Sequence, residues 1–126
     1  SGNCLLAQGG RMVNVELTST RMCVTEVSAA GCWVHTNHFL DPVLARAAGA
    51  PQADSVPRLA RGRALARAGL DVEGVQRILA DRQGFPDSIS RERTVAGFVA
   101  DTGSGEVRVC WGEPARGTWT AHRLGG

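Results

Sequence analysis

The sequence predicts a single α+β domain over residues 1–126, and three observations support this. Short strand-like segments fill the first third of the chain, two helical segments the middle, and a β-hairpin pattern the last third. A chain of 126 residues is long enough to bury a core of its own. Strands, then helices, then strands favour an antiparallel sheet with helices on one face.

The first third of the chain predicts four short strands joined by tight turns. Apolar and polar residues alternate in the second segment, which indicates that the sheet has one covered face. The four segments are residues 5–7, 12–17, 21–27 and 32–34, with turns at the glycine pair 9–10 and at the small residues 28–31.

Two helices are predicted in the middle of the chain. The first begins at Asp54 or Ser55 as its N-cap and stops before Gly69. The second begins after the cap Asp71 and ends near Arg82. Its apolar residues recur at i, i+3, i+6 and i+7, so one face of this helix is expected to be buried.

The last third of the chain predicts a β-hairpin and an edge strand. Residues 94–100 and 106–111 are the two hairpin strands, joined by a loop at 101–105 that is rich in Gly, Ser and Thr. Residues 119–124 are expected to form a last strand at the sheet edge.

Charge and composition argue against nucleic-acid and membrane partners. A net charge of +2 is too small to favour either one. No apolar run reaches the ~20 residues that span a bilayer. Helical spacing spreads Arg58, Arg61, Arg63 and Arg67 around a helix, so a solvated helix surface explains them better than a nucleic-acid footprint.

The four cysteines are scattered without C-x-x-C spacing. Each lies in an apolar, strand-like segment, which predicts buried free thiols and fits a reducing cytoplasm. The cysteines are Cys4, Cys23, Cys32 and Cys110.

Residues 31–42 are the stretch where chemistry is most expected. An apolar, aromatic run ends in a polar cluster at 35–38, just before Asp41 and Pro42. The amide N–H of Asn37 at such a strand end can stabilise a developing oxyanion. An ordinary turn, in which the Asn bonds its own backbone, explains the composition slightly better, so both interpretations stay open here.

A resemblance to a known family separates these interpretations. The run His35-Thr-Asn-His-Phe-Leu40 resembles the signature of the acyl-coenzyme A:6-aminopenicillanic-acid acyltransferase family of autoproteolytic cysteine Ntn (N-terminal-nucleophile) enzymes. Further segments resemble the family in the same order along the chain. They are residues 1–7, 13–16, 54–58, 78–81, 84–91, 94–101 and 107–114.

The resemblance implies a fold and a set of site residues. The fold would be part of an Ntn-hydrolase αββα sandwich. Asn37 would help to form the oxyanion hole, and Arg91 would reach the active site, although an exposed loop arginine is an equal alternative. His35, His38 and Phe39 would support the turn or bind substrate. The H-x-x-H spacing of the histidines lacks the further ligands that zinc needs, so no metal site is expected.

The resemblance also implies that the nucleophile lies outside these residues. Ntn enzymes attack with a chain-terminal Cys, Ser or Thr. The only Gly-Cys pair is 31–32, and the resemblance places it on the strand that leads to Asn37. The chain is therefore expected to be the C-terminal portion of the catalytic chain, with a complementary N-terminal or nucleophile-bearing chain as its partner.

The expected reaction is acyl transfer or amide hydrolysis with a small-molecule acyl donor and acceptor. Transfer to an amine-bearing natural product is favoured, with peptide-like amide hydrolysis close behind. No cofactor is expected beyond acyl-coenzyme A as a substrate. The alternative is a binding or scaffold homologue that has lost the nucleophile.

Overall fold

The computed structural model describes residues 2–27 and 31–123, so residues 28–30 of the predicted turn and Leu124 of the last strand lie outside it. The architecture is α+β, as predicted, with two compact units, Ser1–Ala68 and Gly69–Gly126. In the first unit the elements are β1 (Gly2–Gln8), β2 (Arg11–Leu17), β3 (Met22–Val27), α1 (Pro42–Ala48) and α2 (Ser55–Leu65). In the second they are α3 (Val72–Leu79), β4 (Ala96–Asp101), β5 (Glu106–Trp111) and β6 (Trp119–Arg123).

The first unit contains an antiparallel sheet of order β1-β2-β3. Gly9 and Gly10 join β1 to β2 with φ values of 57° and 77°, the backbone that a two-residue hairpin turn requires. In this register Asn3, Glu16 and Cys23 lie side by side on one face of the sheet.

The sheet has one covered face, but the polar residues of β2 occupy it. Asn14 and Glu16 are buried, whereas on the opposite face Leu17 is exposed, although the neighbouring Val15 of that face is buried. The reason is that Glu16 binds the backbone of the segment that follows Val34. The covered face of the sheet therefore supports a polar loop.

The fourth strand predicted at residues 32–34 is wrong, because this segment joins no ladder and the first sheet has three strands. The side chain of Val34 packs on helix α2 instead. A Cβ placed on Gly62 of α2 would lie 2.7 Å from Val34 Cγ1, so the two backbones approach closely only because residue 62 is glycine.

Helix α1 was not predicted from the sequence, and the first predicted helix ends earlier than expected. Asp41 caps α1 by accepting from the backbone N–H groups of Val43 and Leu44, with Pro42 in the first turn. Helix α2 ends at Leu65 and not at Gly69.

The second unit follows the sequence prediction more closely. Asp71 caps α3 through a 2.7 Å bond from Gly74 N–H to its Oδ1. The hairpin β4–β5 and the edge strand β6 form an antiparallel sheet, and α3 packs against β4. Helix α3 ends at Leu79, before Arg82. Within the described ranges, no helix has the length and hydropathy to cross a bilayer.

Candidate functional site

The buried carboxylate of Glu16 holds the loop that follows Val34. Glu16 is 1% exposed. Its Oε1 accepts from His35 Nε2 at 2.7 Å and from the backbone N–H of Leu40 at 2.6 Å. Its Oε2 accepts from the backbone N–H of Asp41 at 2.8 Å. Three donors satisfy a charge that would otherwise be costly to bury, so Glu16 fixes the path of residues 35–41.

His35 joins β2 to this loop with both ring nitrogens. Nδ1 lies 2.5 Å from the carbonyl oxygen of Thr36, and Nε2 faces Glu16. A carbonyl and a carboxylate only accept, so the imidazolium form, which donates from both nitrogens, satisfies both contacts. His35 also lines the cavity described below, and its role in substrate binding stays a prediction.

Arg58 sets the direction of the Asn37 amide. Arg58 Nη2 lies 2.6 Å from Asn37 Oδ1. A guanidinium has only donors, so the atom it contacts must be the amide oxygen, and the NH₂ end of Asn37 points away from it. The same guanidinium also donates to Asp54. Its Nε lies 3.1 Å from the Asp54 carbonyl oxygen, and Nη2, which also contacts Asn37, lies 3.1 Å from Asp54 Oδ2.

The prediction that Arg58 lies on a solvated helix surface is therefore wrong. Its side chain is only 12% exposed. The cause is the fold of the 35–38 loop onto the first turn of α2, which spacing along the helix alone does not reveal. Asp54 was a candidate N-cap, but its side chain makes no cap hydrogen bond and pairs with Arg58 instead.

His38 is anchored through one ring nitrogen to two hydroxyls. Its Nδ1 lies 2.8 Å from Ser55 Oγ and 3.3 Å from Thr36 Oγ1. Ser55, at the start of α2, is 0% exposed. Burial, followed by the positive charges of His35 and nearby arginines, lowers the pKa of His38, so its imidazole is neutral at neutral pH.

Two cavities share one wall in this unit. The polar cavity, of about 300 Å³, opens between β1 and the loop. It is lined by Gly2, Asn3, His35, Thr36, Asn37, His38, Phe39 and Arg58. The apolar groove, of about 220 Å³, lies on the other side of residues 37–39. It is completed by Ala45, Ala48, Gly49, Ala50, Pro51 and Gln52.

The site therefore brings Asn37, His38 and Phe39 together between a polar and an apolar space. The amide donor of Asn37 and the neutral imidazole of His38 are neighbours in the chain and line both spaces. The amide of Asn37 can donate to a carbonyl oxygen, and the neutral imidazole of His38 can accept from a second polar group. Phe39 and the alanines offer contact to an apolar substituent.

The cysteines of the described residues do not line the polar cavity. All four are free, as predicted, but the prediction of burial is confirmed only for Cys110, because Cys23 is partly buried and Cys4 and Cys32 are exposed. Cys4 lies on the open face of the sheet, and Cys32 lies in the segment that forms no strand. The thiol of Cys23 donates to Asp41 Oδ2 at 3.2 Å, and this bond raises the pKa of Cys23.

Arg91 belongs to the second unit, in the segment between α3 and β4. Its backbone N–H donates to Thr94 Oγ1 at 3.3 Å. Neighbouring Ser90 is fully buried, accepts from Ala115 N–H at 3.0 Å and donates its backbone N–H to the Asp81 carbonyl at 2.9 Å. The segment is thus fixed within its own unit, and the active-site role of Arg91 stays a prediction.

Three residues of the site were assigned no chemical role from the sequence. Glu16 was only part of the strand predicted at residues 12–17, and Ser55 was only a candidate N-cap. Both are buried polar residues, and the polar positions of the alternating strand were the signal for Glu16. Arg58 follows Asp54 by four residues, a spacing that predicts an ion pair on one helix face. Among the described residues, no three His, Cys, Asp or Glu side chains converge as a metal site.

Comparison with models of protein families identifies a match. The family model described as "Acyl-coenzyme A:6-aminopenicillanic acid acyl-transferase" matches residues 3–116, which is nearly the whole chain and includes the loop, β2 and α2. No curated protein matches the chain.

Proposed function

The chain belongs to the acyl-coenzyme A:6-aminopenicillanic acid acyl-transferase family, and we propose that it supplies the oxyanion-binding part of a cysteine Ntn-type acyltransferase or amide hydrolase. Its substrates would be amide or thioester acyl groups. Acyl-coenzyme A is the proposed donor, an amine-bearing natural product the proposed acceptor, and no cofactor takes part.

The contact between Arg58 and Asn37 is the observation that supports this proposal. It occupies the acceptor end of the amide and leaves the donor end for another group. Asn37 lines the polar cavity, so an acyl oxygen bound there can accept from Nδ2. A donor fixed before the reaction begins needs no reorganisation when charge develops, which is why such groups stabilise transition states strongly.

The proposed reaction has two steps. A cysteine thiolate attacks the acyl carbonyl carbon, and the carbonyl oxygen takes the negative charge while Asn37 Nδ2–H donates to it. The oxyanion then collapses and expels the amine or thiol, which takes up the proton that the cysteine thiol released, leaving an acyl-cysteine. Water or an acceptor amine attacks this thioester, passes through a second oxyanion in the same place, and releases the thiol.

We place the attacking cysteine on a polypeptide segment other than these 126 residues. None of the residues that line the polar cavity is a cysteine, a statement that covers residues 2–27 and 31–123. The first sheet also has an apolar face that this chain leaves open. The exposed apolar residues on that face are Leu6, Leu17, Met22 and Val24.

That open face is a proposed contact for the nucleophile-bearing segment. Met22 is 69% exposed. Large apolar side chains grouped on one sheet face indicate a surface that another layer covers. Covering it would build the sheet sandwich of the Ntn fold, whereas the polar cavity lies at the other face of the same sheet, where Glu16 holds the loop that contains Asn37.

Intact-mass analysis of the complete protein, with every segment that co-purifies, tests this proposal. After incubation with the hexanoyl thioester of N-acetylcysteamine, a hexanoyl adduct is expected on a chain-terminal cysteine outside these 126 residues. An adduct on Cys4, Cys23, Cys32 or Cys110 would contradict the placement of the nucleophile. No adduct on any segment, together with no turnover, would favour the non-catalytic binding or scaffold homologue.

A further inference from the structure

We propose that His38 Nε2 accepts a hydrogen bond from a substrate N–H and so gives this site a preference for amides over esters. The inference rests on the proposed function, because it assigns a binding role within the same site.

The protons of two hydroxyls fix the tautomer of His38. Thr36 Oγ1 lies 2.9 Å from the carbonyl oxygen of Ser55, which only accepts, so Thr36 donates its proton there. Ser55 Oγ lies 3.0 Å from Thr36 Oγ1 and donates to it. Ser55 then has no proton left for His38, so the 2.8 Å contact requires His38 Nδ1–H to donate to Ser55 Oγ.

The opposite arrangement leaves one short contact without a proton. If Ser55 donated to His38 Nδ1, its oxygen and Thr36 Oγ1 would face each other at 3.0 Å with no hydrogen between them. The first arrangement satisfies all three groups. In the neutral ring it places the proton on Nδ1 and leaves a lone pair on Nε2.

The position of the ring makes that lone pair usable. Nδ1 is directed to buried Ser55, so Nε2 lies on the far edge of the ring. His38 lines both the polar cavity and the apolar groove. Across the described parts of the chain, Nε2 makes no hydrogen bond. A substrate N–H is the kind of partner that this acceptor lacks.

The charges around His38 keep the ring neutral. Burial lowers its pKa most, the positive charges of His35, Arg63 and Arg58 lower it further, and the carboxylate of Glu16 opposes them. The unprotonated ring is therefore stable at neutral pH. As the pH falls through this lowered pKa, Nε2 gains a proton and becomes a donor, so the preference for an N–H is expected to disappear in acid.

Asn37 and His38 together are complementary to an amide group. The Asn37 amide offers a donor for the carbonyl oxygen, and its neighbour His38 offers an acceptor for the N–H. An ester of the same acyl group matches the donor but has no hydrogen for the acceptor. The same holds for the acyl-coenzyme A donor, so the His38 contact serves the amide substrate or product and not the thioester. A site commonly rejects a substrate analogue that leaves one of its polar groups without a hydrogen-bond partner, as the ester would leave His38.

A matched pair of substrates tests the proposal in the complete protein. The probes are the 4-nitroanilide and the 4-nitrophenyl ester of hexanoic acid. His38→Phe should lower kcat/KM for the anilide roughly three- to tenfold more than for the ester, the effect of one hydrogen bond. His38→Gln, whose amide oxygen can accept, should restore part of the anilide rate. Equal losses for both probes would overturn the proposal and assign His38 a structural role.

The test separates this proposal from the proposed function. Asn37→Ala should lower the rates for both probes, because both pass through an oxyanion. A wild-type protein that turns over neither probe would contradict the proposed function, and the binding role of His38 is then decided by NMR. Long-range ¹⁵N spectra should show His38 Nε2 unprotonated, with a resonance that shifts on adding hexanamide but not methyl hexanoate. An Nε2 resonance that does not shift with hexanamide would overturn the inference.

Discussion

Arg58 Nη2 donates to Asn37 Oδ1 at 2.6 Å, so a cation at the start of α2 fixes the orientation of an amide in the loop before α1. Asp54 holds the same guanidinium from the other side. Two segments that are separated in sequence are thereby locked into one donor geometry. The consequences of this geometry can be tested residue by residue.

Replacing Arg58 should lower turnover without removing the donor itself. Arg58→Met keeps the length of the side chain but cannot donate, so the Asn37 amide is free to rotate away from the productive direction. If the proposed function holds, kcat of the complete protein for a hexanoyl thioester should fall about tenfold, since small misplacements of catalytic groups are costly. Arg67→Met, at an exposed arginine beyond α2, is the control and should leave kcat unchanged. Equal rates for both variants would contradict the positioning role.

Replacing Glu16 should destabilise the first unit. Glu16→Ala leaves three buried donors without an acceptor, and we expect a loss of about 3 kcal/mol in the free energy of unfolding. Urea denaturation measures it. The matched control is Glu26→Ala, which removes an exposed carboxylate paired with Arg11 at the surface and should cost less than about 1 kcal/mol. If the two variants lose the same stability, Glu16 does not hold the loop.

A methyl group at position 62 should separate α2 from the segment at Val34. The added Cβ would lie 2.7 Å from Val34 Cγ1, too close for either atom to remain in place. Overpacking of this kind typically costs about 1–3 kcal/mol, which outweighs the roughly 1 kcal/mol that Ala gains over Gly inside a helix. Thermal unfolding of Gly62→Ala should show the loss, and the second change Val34→Ala should recover part of it. A Gly62→Ala protein as stable as the wild type would exclude the close approach.

The ionised carboxylate of Asp41 should stabilise the fold at pH values above its titration range, and this stabilisation should be lost in acid. Its pKa is lowered from 3.8 by the N–H of Leu44 and by the Cys23 thiol. A lowered folded-state pKa means that the contribution is complete above the unfolded value and decreases as the pH falls through the folded value. Urea midpoints measured below pH 5 should therefore fall more steeply for the wild type than for Asp41→Asn. Parallel pH curves would show that the cap charge is not linked to folding.

Sequence patterns predicted the helices and strands that depend on residues close together in the chain. The Asp71 cap, the apolar stripe of α3 and the β4–β5 hairpin each depend on neighbours within a few residues. Residues 32–34 have strand composition, but Val34 packs on Gly62, so a contact distant in sequence overrides local preference. Helix α1 has a cap and a proline, but its seven residues are too few to show a helical period.

The residues of the candidate site were predicted only where they are neighbours in the sequence. The motif that contains Asn37, His38 and Phe39 is continuous in sequence, and its three residues do line one cavity. Arg58 binds Asn37 from a position 21 residues later in the chain. Glu16 binds the backbone of Leu40 from a position 24 residues earlier. Only the tertiary fold creates these two hydrogen bonds. Pattern alone places such residues on an element but does not show which loop they contact.

The proposed donor role of Asn37 is tested most directly by the turnover of Asn37→Ala in the complete protein with a hexanoyl thioester. We expect kcat to fall about 10²–10³-fold, the usual effect of losing one oxyanion donor. The thermal unfolding midpoint should stay close to that of the wild type, because Asn37 is exposed. Unchanged turnover in a folded Asn37→Ala protein would contradict the proposed oxyanion site.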